Sequence, residues 1–119
     1  NDKGNGSMIN YDGKVFRPIA NTNNGETSEK TVFVYKQTGN ILTSEYSGGR
    51  ITIGHLLGVV DEKGQIDMSY HQINDQGDIM TGRCQSRPEI LENGKLRLHE
   101  KWHWTSGDGS EGQSIIEEI

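Results

Sequence analysis

The sequence predicts an all-β protein, specifically an eight-stranded antiparallel up-and-down β-barrel. Three observations lead to this fold class. Turn clusters rich in Gly, Asn, Asp and Ser recur at short intervals, and apolar residues between them alternate with a period of two. In addition, no stretch keeps a helical period long enough to supply the crossover that a parallel sheet requires. Consecutive antiparallel hairpins are the remaining arrangement.

Seven turn clusters separate the predicted strands, at residues 21–25, 38–40, 47–49, 61–64, 74–77, 92–94 and 106–112. Seven connections imply eight strands, which we place at residues 13–19, 29–37, 41–46, 50–60, 65–74, 78–87, 95–105 and 112–119. Closure into a barrel is favoured because an open sheet leaves two unpaired edges. Gly54, Gly58 and Gly82 lie inside strands, where glycine costs stability unless it allows the sharp coiling of a small barrel.

Length and composition are those of one small domain. The chain has 119 residues, of which 30% are hydrophobic, and its mean hydropathy is −0.76. Because such a composition lies near the disordered range, the alternation of apolar residues carries the case for folding. We expect a single barrel domain over residues 8–119, preceded at residues 1–7 by a disordered or expression-derived head, with Met8 as the native start.

The net charge and the cysteine content limit the classes of binding partner and the cellular compartment that we expect. The net charge is −5 and there is no basic run, which argues against nucleic acid and anionic membranes as partners. Cys84 is the single cysteine, so no intrachain disulfide forms, and we expect it to be a small buried strand residue. No apolar signal segment or membrane span is recognisable, and we therefore expect a cytoplasmic protein.

The pentapeptide HEKWH at residues 99–103 matches the zinc-protease pattern H-E-x-x-H. Two histidines at this spacing share a zinc ion on a helix, where they lie about 6 Å apart, but are roughly 13 Å apart on a strand. Leu96, Leu98, Glu100, Trp102 and Trp104 alternate with cations and histidines here, which is typical of a strand. We therefore expect both histidines to face outward and the protein to bind no stoichiometric zinc.

Candidate ligand-binding residues are those polar and aromatic side chains that alternation places among apolar neighbours, because a small barrel holds its ligand inside. Glu100 is the most informative of them, since a carboxylate on an apolar face is costly unless it is paired. We expect its partner to be an arginine, a tyrosine hydroxyl or a ligand, with Arg83 on the preceding strand as the candidate. The predicted set is Tyr35, Tyr46, His55, Tyr70, Gln72, Arg83, Glu100, Trp102 and Trp104. A satisfied Glu100 pair inside a plugged barrel is the alternative.

No motif for catalysis is recognisable. The chain lacks a G-x-S-x-G elbow, a phosphate loop and a C-x-x-C pair, so we predict no catalytic residue, no metal ligand and no cofactor.

Two resemblances add to this interpretation. The phrases YHQIN, MTGRCQSRPEI, RLHEKWHWTSGD and SIIEEI resemble a family of small bacterial proteins over about residues 8–119, and its members often carry the label N-acetylglutamate synthase. MTGRCQS, YSGG and WTSGDGSEGQSIIEEI resemble strand and turn phrases of the avidin and streptavidin barrels. The second resemblance implies an avidin-like or lipocalin-like barrel, a small-molecule ligand and association into a homo-oligomer.

Three functions therefore stay open. We favour a barrel that binds a small molecule without catalysis. The first alternative is the amino-acid N-acetyltransferase that the label implies, and the second is a barrel with a filled interior that binds another protein. An acetyltransferase needs a phosphate-cradling glycine turn that leads into a helix, whereas every glycine cluster here joins two predicted strands. An enzyme is thus the less favoured hypothesis.

Overall fold

A computed structural model describes residues 9–119 of the chain. The predicted all-β class is confirmed, because eight strands and no helix are found in this range. They are β1 Val15–Asn21, β2 Val32–Thr38, β3 Ile41–Gly48, β4 Ile51–Val60, β5 Ile66–Asn74, β6 Ile79–Ile90, β7 Leu96–Trp104 and β8 Glu111–Glu118. The head predicted at residues 1–7 and the start at Met8 lie outside the described range. Residues 9–119 include no helix with the length and apolarity needed to cross a bilayer.

The strands form a closed antiparallel barrel in which each strand pairs with the next along the chain. Strand β8 returns to pair with β1, placing Phe16 opposite Glu118 and Asn21 opposite Ser114. Closure leaves no strand edge free for pairing with other chains. The predicted up-and-down barrel is therefore confirmed.

Three hairpin turns share one five-residue build, at residues 61–65, 74–78 and 91–95. In each turn the fourth residue is a glycine, with φ angles of 80°, 83° and 84° along the chain. The first residue donates its N–H to the carbonyl of the fifth, and the glycine donates to the carbonyl of the first. Because a side chain resists positive φ, this turn requires glycine at one fixed place. The regular recurrence of glycine in the sequence follows partly from this requirement.

One end of the barrel, here called the closed end, carries the β2–β3, β4–β5 and β6–β7 turns. Apolar and aromatic side chains fill it: Tyr11, Phe16, Leu42, Val60, Ile66, Leu96, Leu98 and Ile116. The segment before β1 covers this end, because the Tyr11 hydroxyl donates to the carbonyl of Gly64 and the Tyr11 N–H donates to Gln37 Oε1 at 2.9 Å. The closed end is therefore both packed and hydrogen-bonded shut.

The opposite end, here called the mouth, carries the remaining connections. The longest of them joins β1 to β2 over residues 22–31 and is here called the lid. The carbonyl of Asn24 in the lid accepts a hydrogen bond from Trp104 Nε1 at 3.0 Å. The side chain of Glu26, also in the lid, is buried. The two ends of one barrel thus differ in what closes them, and the mouth is the end where a site is found.

Candidate functional site

A cavity of about 60 Å³ lies in the mouth half of the barrel, beneath the lid. Seven of the nine predicted site residues line it: Tyr35, Tyr46, Tyr70, Gln72, Glu100, Trp102 and Trp104. The lid contributes Gly25, Glu26 and Thr27. This free volume is small beside the roughly 300–1,000 Å³ of typical small-molecule pockets. A drug-sized ligand therefore requires the lid or the lining side chains to move.

Aromatic rings form the wall of the cavity, and three of them cover glycines on the neighbouring strand. The cross-strand pairs are Tyr46 with Gly54, Tyr70 with Gly82, and Trp102 with Gly112. A Cβ atom at any of these glycines would overlap the ring. The glycines inside strands therefore also shape the pocket, since they let flat side chains lie against the sheet. Trp102 and Trp104 continue this wall with ring centroids 5.5 Å apart.

Glu100 provides the carboxylate at the middle of the barrel. Ser86 Oγ donates to Glu100 Oε2 at 2.9 Å and Ser114 Oγ donates to Oε1 at 2.9 Å. Burial raises the pKa of the Glu100 carboxyl, and the two serine hydroxyls oppose that rise. The prediction that Glu100 pairs with Arg83 is wrong. Two neutral hydroxyls from the flanking strands satisfy it, and no cation among residues 9–119 is paired with it.

The thiol and the three tyrosine hydroxyls that line the cavity are held neutral. Burial, and after it the nearby Glu100 carboxyl, raises the pKa of the Cys84 thiol and of the Tyr35 hydroxyl well above their usual values. Burial also raises the pKa of Tyr46 and Tyr70. These groups therefore act as neutral hydrogen-bonding or apolar surface at neutral pH.

Two buried polar atoms at this site have no hydrogen-bond partner within residues 9–119. They are the Tyr35 hydroxyl and Asn21 Oδ1, and both residues line the cavity. Buried polar atoms are rarely left unpaired in native proteins. Their presence around one cavity marks it as a place where a further group can bind.

His55 does not belong to this site, and the prediction that it points inward is wrong. A β-bulge between Ile51 and Ile53 shifts the pairing of β4 with β5. Because a shift of one residue turns every following side chain to the other face, Leu56 points inward and His55 outward. The His55 side chain is 55% exposed, with Nε2 3.1 Å from Glu45 Oε2.

Arg83 also lies outside the barrel, which corrects its predicted place in the site. Its side chain is 50% exposed, and Nη2 donates to Asp67 Oδ1 at 3.0 Å on the outer face. The inward residues of β6 are instead Gly82, Cys84 and Ser86. Ile79, on the same outward face of β6 as Arg83, is also exposed.

The HEKWH segment lies on β7, as its alternation predicts. Leu98, Trp102 and Trp104 are buried, whereas His103 is exposed and His99 Nε2 lies 2.8 Å from Glu89 Oε1 on the outer face. The outward orientation of both histidines is confirmed. In residues 9–119, no three side chains among His, Cys, Asp and Glu are grouped so that they could hold a metal ion.

A family model described as avidin-like protein matches residues 9–119. The chain belongs to the avidin-like family. No curated protein and no solved structure matches it at a significant level. The closed eight-stranded barrel with its cavity at one end is thus an avidin-like barrel in both sequence and architecture.

Sequence reasoning missed several residues that line the cavity or bind Glu100. Ser86 and Ser114 follow the same alternation as Cys84 and Ile116, so extending the period of two along β6 and β8 would have placed them beside Glu100. Glu26 carried no such signal. It lies in the lid, where side-chain direction follows no period and depends on contacts with distant strands.

Proposed function

We propose that this avidin-like barrel binds a small molecule in the cavity beneath its lid, without catalysis. The observation that carries the proposal is the pair of unsatisfied buried polar atoms, Tyr35 hydroxyl and Asn21 Oδ1, on residues that line one cavity. A ligand that satisfies them gains hydrogen bonds without displacing any that the protein already makes. Aromatic walls with a few polar groups are the usual composition of a small-molecule site.

The polar groups define the ligand's chemistry. Asn21 Oδ1 and an ionised Glu100 carboxylate are hydrogen-bond acceptors, and the Tyr35 hydroxyl can donate or accept. We therefore infer a ligand with an N–H or O–H donor that reaches the middle of the barrel and a flat apolar body that lies against Trp102 and Trp104.

Binding is favoured over catalysis because the one thiol that lines the cavity, Cys84, is protonated. Burial raises the pKa of the Cys84 thiol, and a thiol rather than a thiolate is a poor nucleophile. For the acetyltransferase alternative, the described turns with positive-φ glycines join strands or precede β1, so they lack the helix start that holds a cofactor phosphate.

A thermal-shift screen of metabolites tests the proposal and includes acetyl-CoA, glutamate and biotin. A ligand that binds only the folded state at 100 times its Kd adds about 2.7 kcal/mol of stability. We expect a small metabolite to raise the Tm of the wild-type chain and to lose that effect in Glu100→Gln and Trp102→Ala. His55→Ala is the matched control, because its side chain lies on the outer face and should leave the effect unchanged.

Three results would contradict this function. A shift that survives both interior variants but disappears in Arg83→Ala would place the ligand on the outer face. Stabilisation by acetyl-CoA with acetyl transfer to glutamate would make the protein an enzyme. A silent screen with a well-folded barrel would favour the protein-binding alternative.

We also propose that the barrel associates with copies of itself through the outer face of β3 and β4. Leu57 and Val59 are 59% and 50% exposed there, and Ile41 lies directly opposite Val59 in the pairing. Adjacent apolar side chains on an outer surface favour association. Light scattering should give a mass above that of one chain, which Leu57→Asp should reduce. A monomeric wild-type chain would contradict this proposal.

The same proposal includes a cytoplasmic location. The buried free thiol of Cys84 is compatible with a reducing compartment. Cell fractionation with an antibody to the full chain would test it, and recovery in an extracellular or periplasmic fraction would contradict it.

A further inference from the structure

The lid places a carboxylate into the mouth of the barrel. Glu26 is only 8% exposed. Gln72 Nε2 donates to its Oε1 at 2.8 Å, and Asn74 Nδ2 donates to its Oε2 at 2.8 Å. Arg50 Nη2 lies 3.7 Å from the same Oε2. A loop carboxylate therefore occupies a set of donors that belong to the barrel.

These donors are oriented by the barrel itself. The side-chain oxygen of Gln72, Oε1, accepts a hydrogen bond from the Tyr46 hydroxyl at 2.7 Å, which turns Gln72 Nε2 toward Glu26. The side-chain oxygen of Asn74, Oδ1, accepts hydrogen bonds from the backbone N–H groups of Gln76 and Asp78 at 3.0 Å each. These bonds turn Asn74 Nδ2 toward Glu26 as well. Both amides are thus fixed as donors by contacts in which Glu26 takes no part.

The Arg50 guanidinium adds the positive charge. Its Nε lies 3.9 Å from Asp75 Oδ1 on the β5–β6 turn, and its side chain is 52% exposed. Two amide donors and a guanidinium around one carboxylate form a group that recognises an anion by charge and by two hydrogen bonds.

Hydrogen bonds of polar side chains help to hold the lid in place. Its sequence at residues 22–31, TNNGETSEKT, contains no large apolar side chain. Asn24 Nδ2 donates to Ser110 Oγ at 3.0 Å and to the Glu111 carbonyl at 2.8 Å, both exposed contacts. Segments that bury little apolar surface and rely on exposed hydrogen bonds open at low free-energy cost. Glu26 and Thr31 are the buried residues of the lid, so opening it requires that the two buried hydrogen bonds of Glu26 be broken while the strands of the barrel stay paired.

We propose that Gln72, Asn74 and Arg50 form a carboxylate receptor that Glu26 occupies as an internal ligand. A ligand bearing a carboxylate displaces Glu26, binds the same donors and reaches the cavity through the opened mouth. This inference rests on the proposed function, because it assigns a carboxylate to the outer end of the ligand that the cavity binds. Glu26 and the ligand carboxylate compete for one position.

Competition has a measurable consequence for affinity. When only a fraction of molecules has the receptor free, the apparent Kd is the intrinsic Kd divided by that fraction. Removing the Glu26 carboxylate frees the receptor in every molecule. The affinity of a carboxylate should then rise, whereas the affinity of a neutral molecule of the same shape gains only from easier entry.

Butanoate and butanamide are the matched probes, titrated against the full chain. Tryptophan fluorescence is the readout, because the chain has two tryptophans and both line the cavity. We expect Glu26→Ala to bind butanoate roughly tenfold more tightly than the wild-type chain does, as two charge-assisted hydrogen bonds are freed. Butanamide should gain clearly less. Arg50→Gln, introduced into Glu26→Ala, should remove most of the gain for butanoate.

Circular dichroism and thermal melting show whether each variant folds. Glu26→Gln is the second variant, to be used if Glu26→Ala fails to fold. It keeps the size of the side chain but presents an amide nitrogen to one of the two donors, so it should also raise the affinity for butanoate. An equal gain for both probes, or no gain for butanoate in a folded variant, would overturn the receptor.

The outcomes for the receptor and for the cavity are separable. If a neutral metabolite binds the wild-type chain and Glu26→Ala alike and loses affinity in Glu100→Gln, the cavity function holds and the receptor is overturned. If butanoate shows the expected gain but no metabolite responds to Glu100→Gln, the receptor holds and the cavity function is overturned.

Discussion

The closed end and the mouth are built from the same eight strands, yet their interiors follow different rules. At the closed end the side chains are almost all apolar, and the Tyr11 hydroxyl has a partner in the Gly64 carbonyl. In the mouth half, around the cavity, the Glu100 carboxyl is bound by two serine hydroxyls and by no cation of residues 9–119, and the buried Tyr35 hydroxyl has no partner in that range. The closed end stabilises the fold, whereas the mouth half keeps polar groups whose burial costs stability.

The largest difference between the ends should appear on leucine truncation. Leu98 is fully buried at the closed end, whereas Leu56 borders the cavity. We expect Leu98→Ala to lower the free energy of unfolding by about 2–5 kcal/mol. Leu56→Ala should cost less, since a side chain beside a void makes fewer contacts. Urea unfolding followed by circular dichroism measures both, and equal costs would remove the distinction between the ends.

Two tyrosine hydroxyls sharpen the comparison further. Tyr11→Phe leaves the Gly64 carbonyl without its donor, so we expect a loss of about 1–3 kcal/mol in the free energy of unfolding. Tyr35→Phe removes a buried hydroxyl that has no partner in the described part of the chain. Its stability should stay within about 1 kcal/mol of wild type or increase. The same unfolding experiment measures both, and a large loss for Tyr35→Phe would show that its hydroxyl is satisfied.

A smaller effect should appear in the pH dependence of stability. Because burial raises the pKa of Glu100 in the folded state, the protonated carboxyl stabilises the fold. That contribution is complete below the pKa of the unfolded chain, about 4.3, and is lost as pH rises through the folded pKa. We expect the wild-type chain to lose stability relative to Glu100→Gln as pH rises above about 4.3. Urea midpoints of the two chains that change in parallel over this range would contradict the raised pKa.

The sequence predicted the barrel well because alternation and turn residues are local signals. Fixed glycines in five-residue turns placed the hairpins, and alternation brought Tyr46, Tyr70 and Trp102 to the cavity. Alternation failed at His55 because a bulge in β4 reverses the faces, and a bulge leaves no mark in the period itself.

The lid could not be predicted for a different reason. Glu26 is buried because Gln72 and Asn74, far along the chain, present donors to it. Nothing near residue 26 indicates this burial, since the surrounding residues are polar. The inward faces of most strands could therefore be predicted from the sequence, whereas the closure of both ends depends on tertiary contacts.

A two-dimensional ¹H–¹⁵N NMR titration tests most directly whether the mouth is the binding end. The metabolite that gives the strongest thermal shift would be added to the labelled full chain. We expect changes at the two tryptophan indole N–H signals, at Gln72 and at the lid, with Trp104 Nε1 affected most because it donates to the lid carbonyl of Asn24. The signals of Tyr11 and Leu98 should stay unchanged. Changes confined to the closed end or to the outer face, with both indole signals unmoved, would contradict a ligand site beneath the lid.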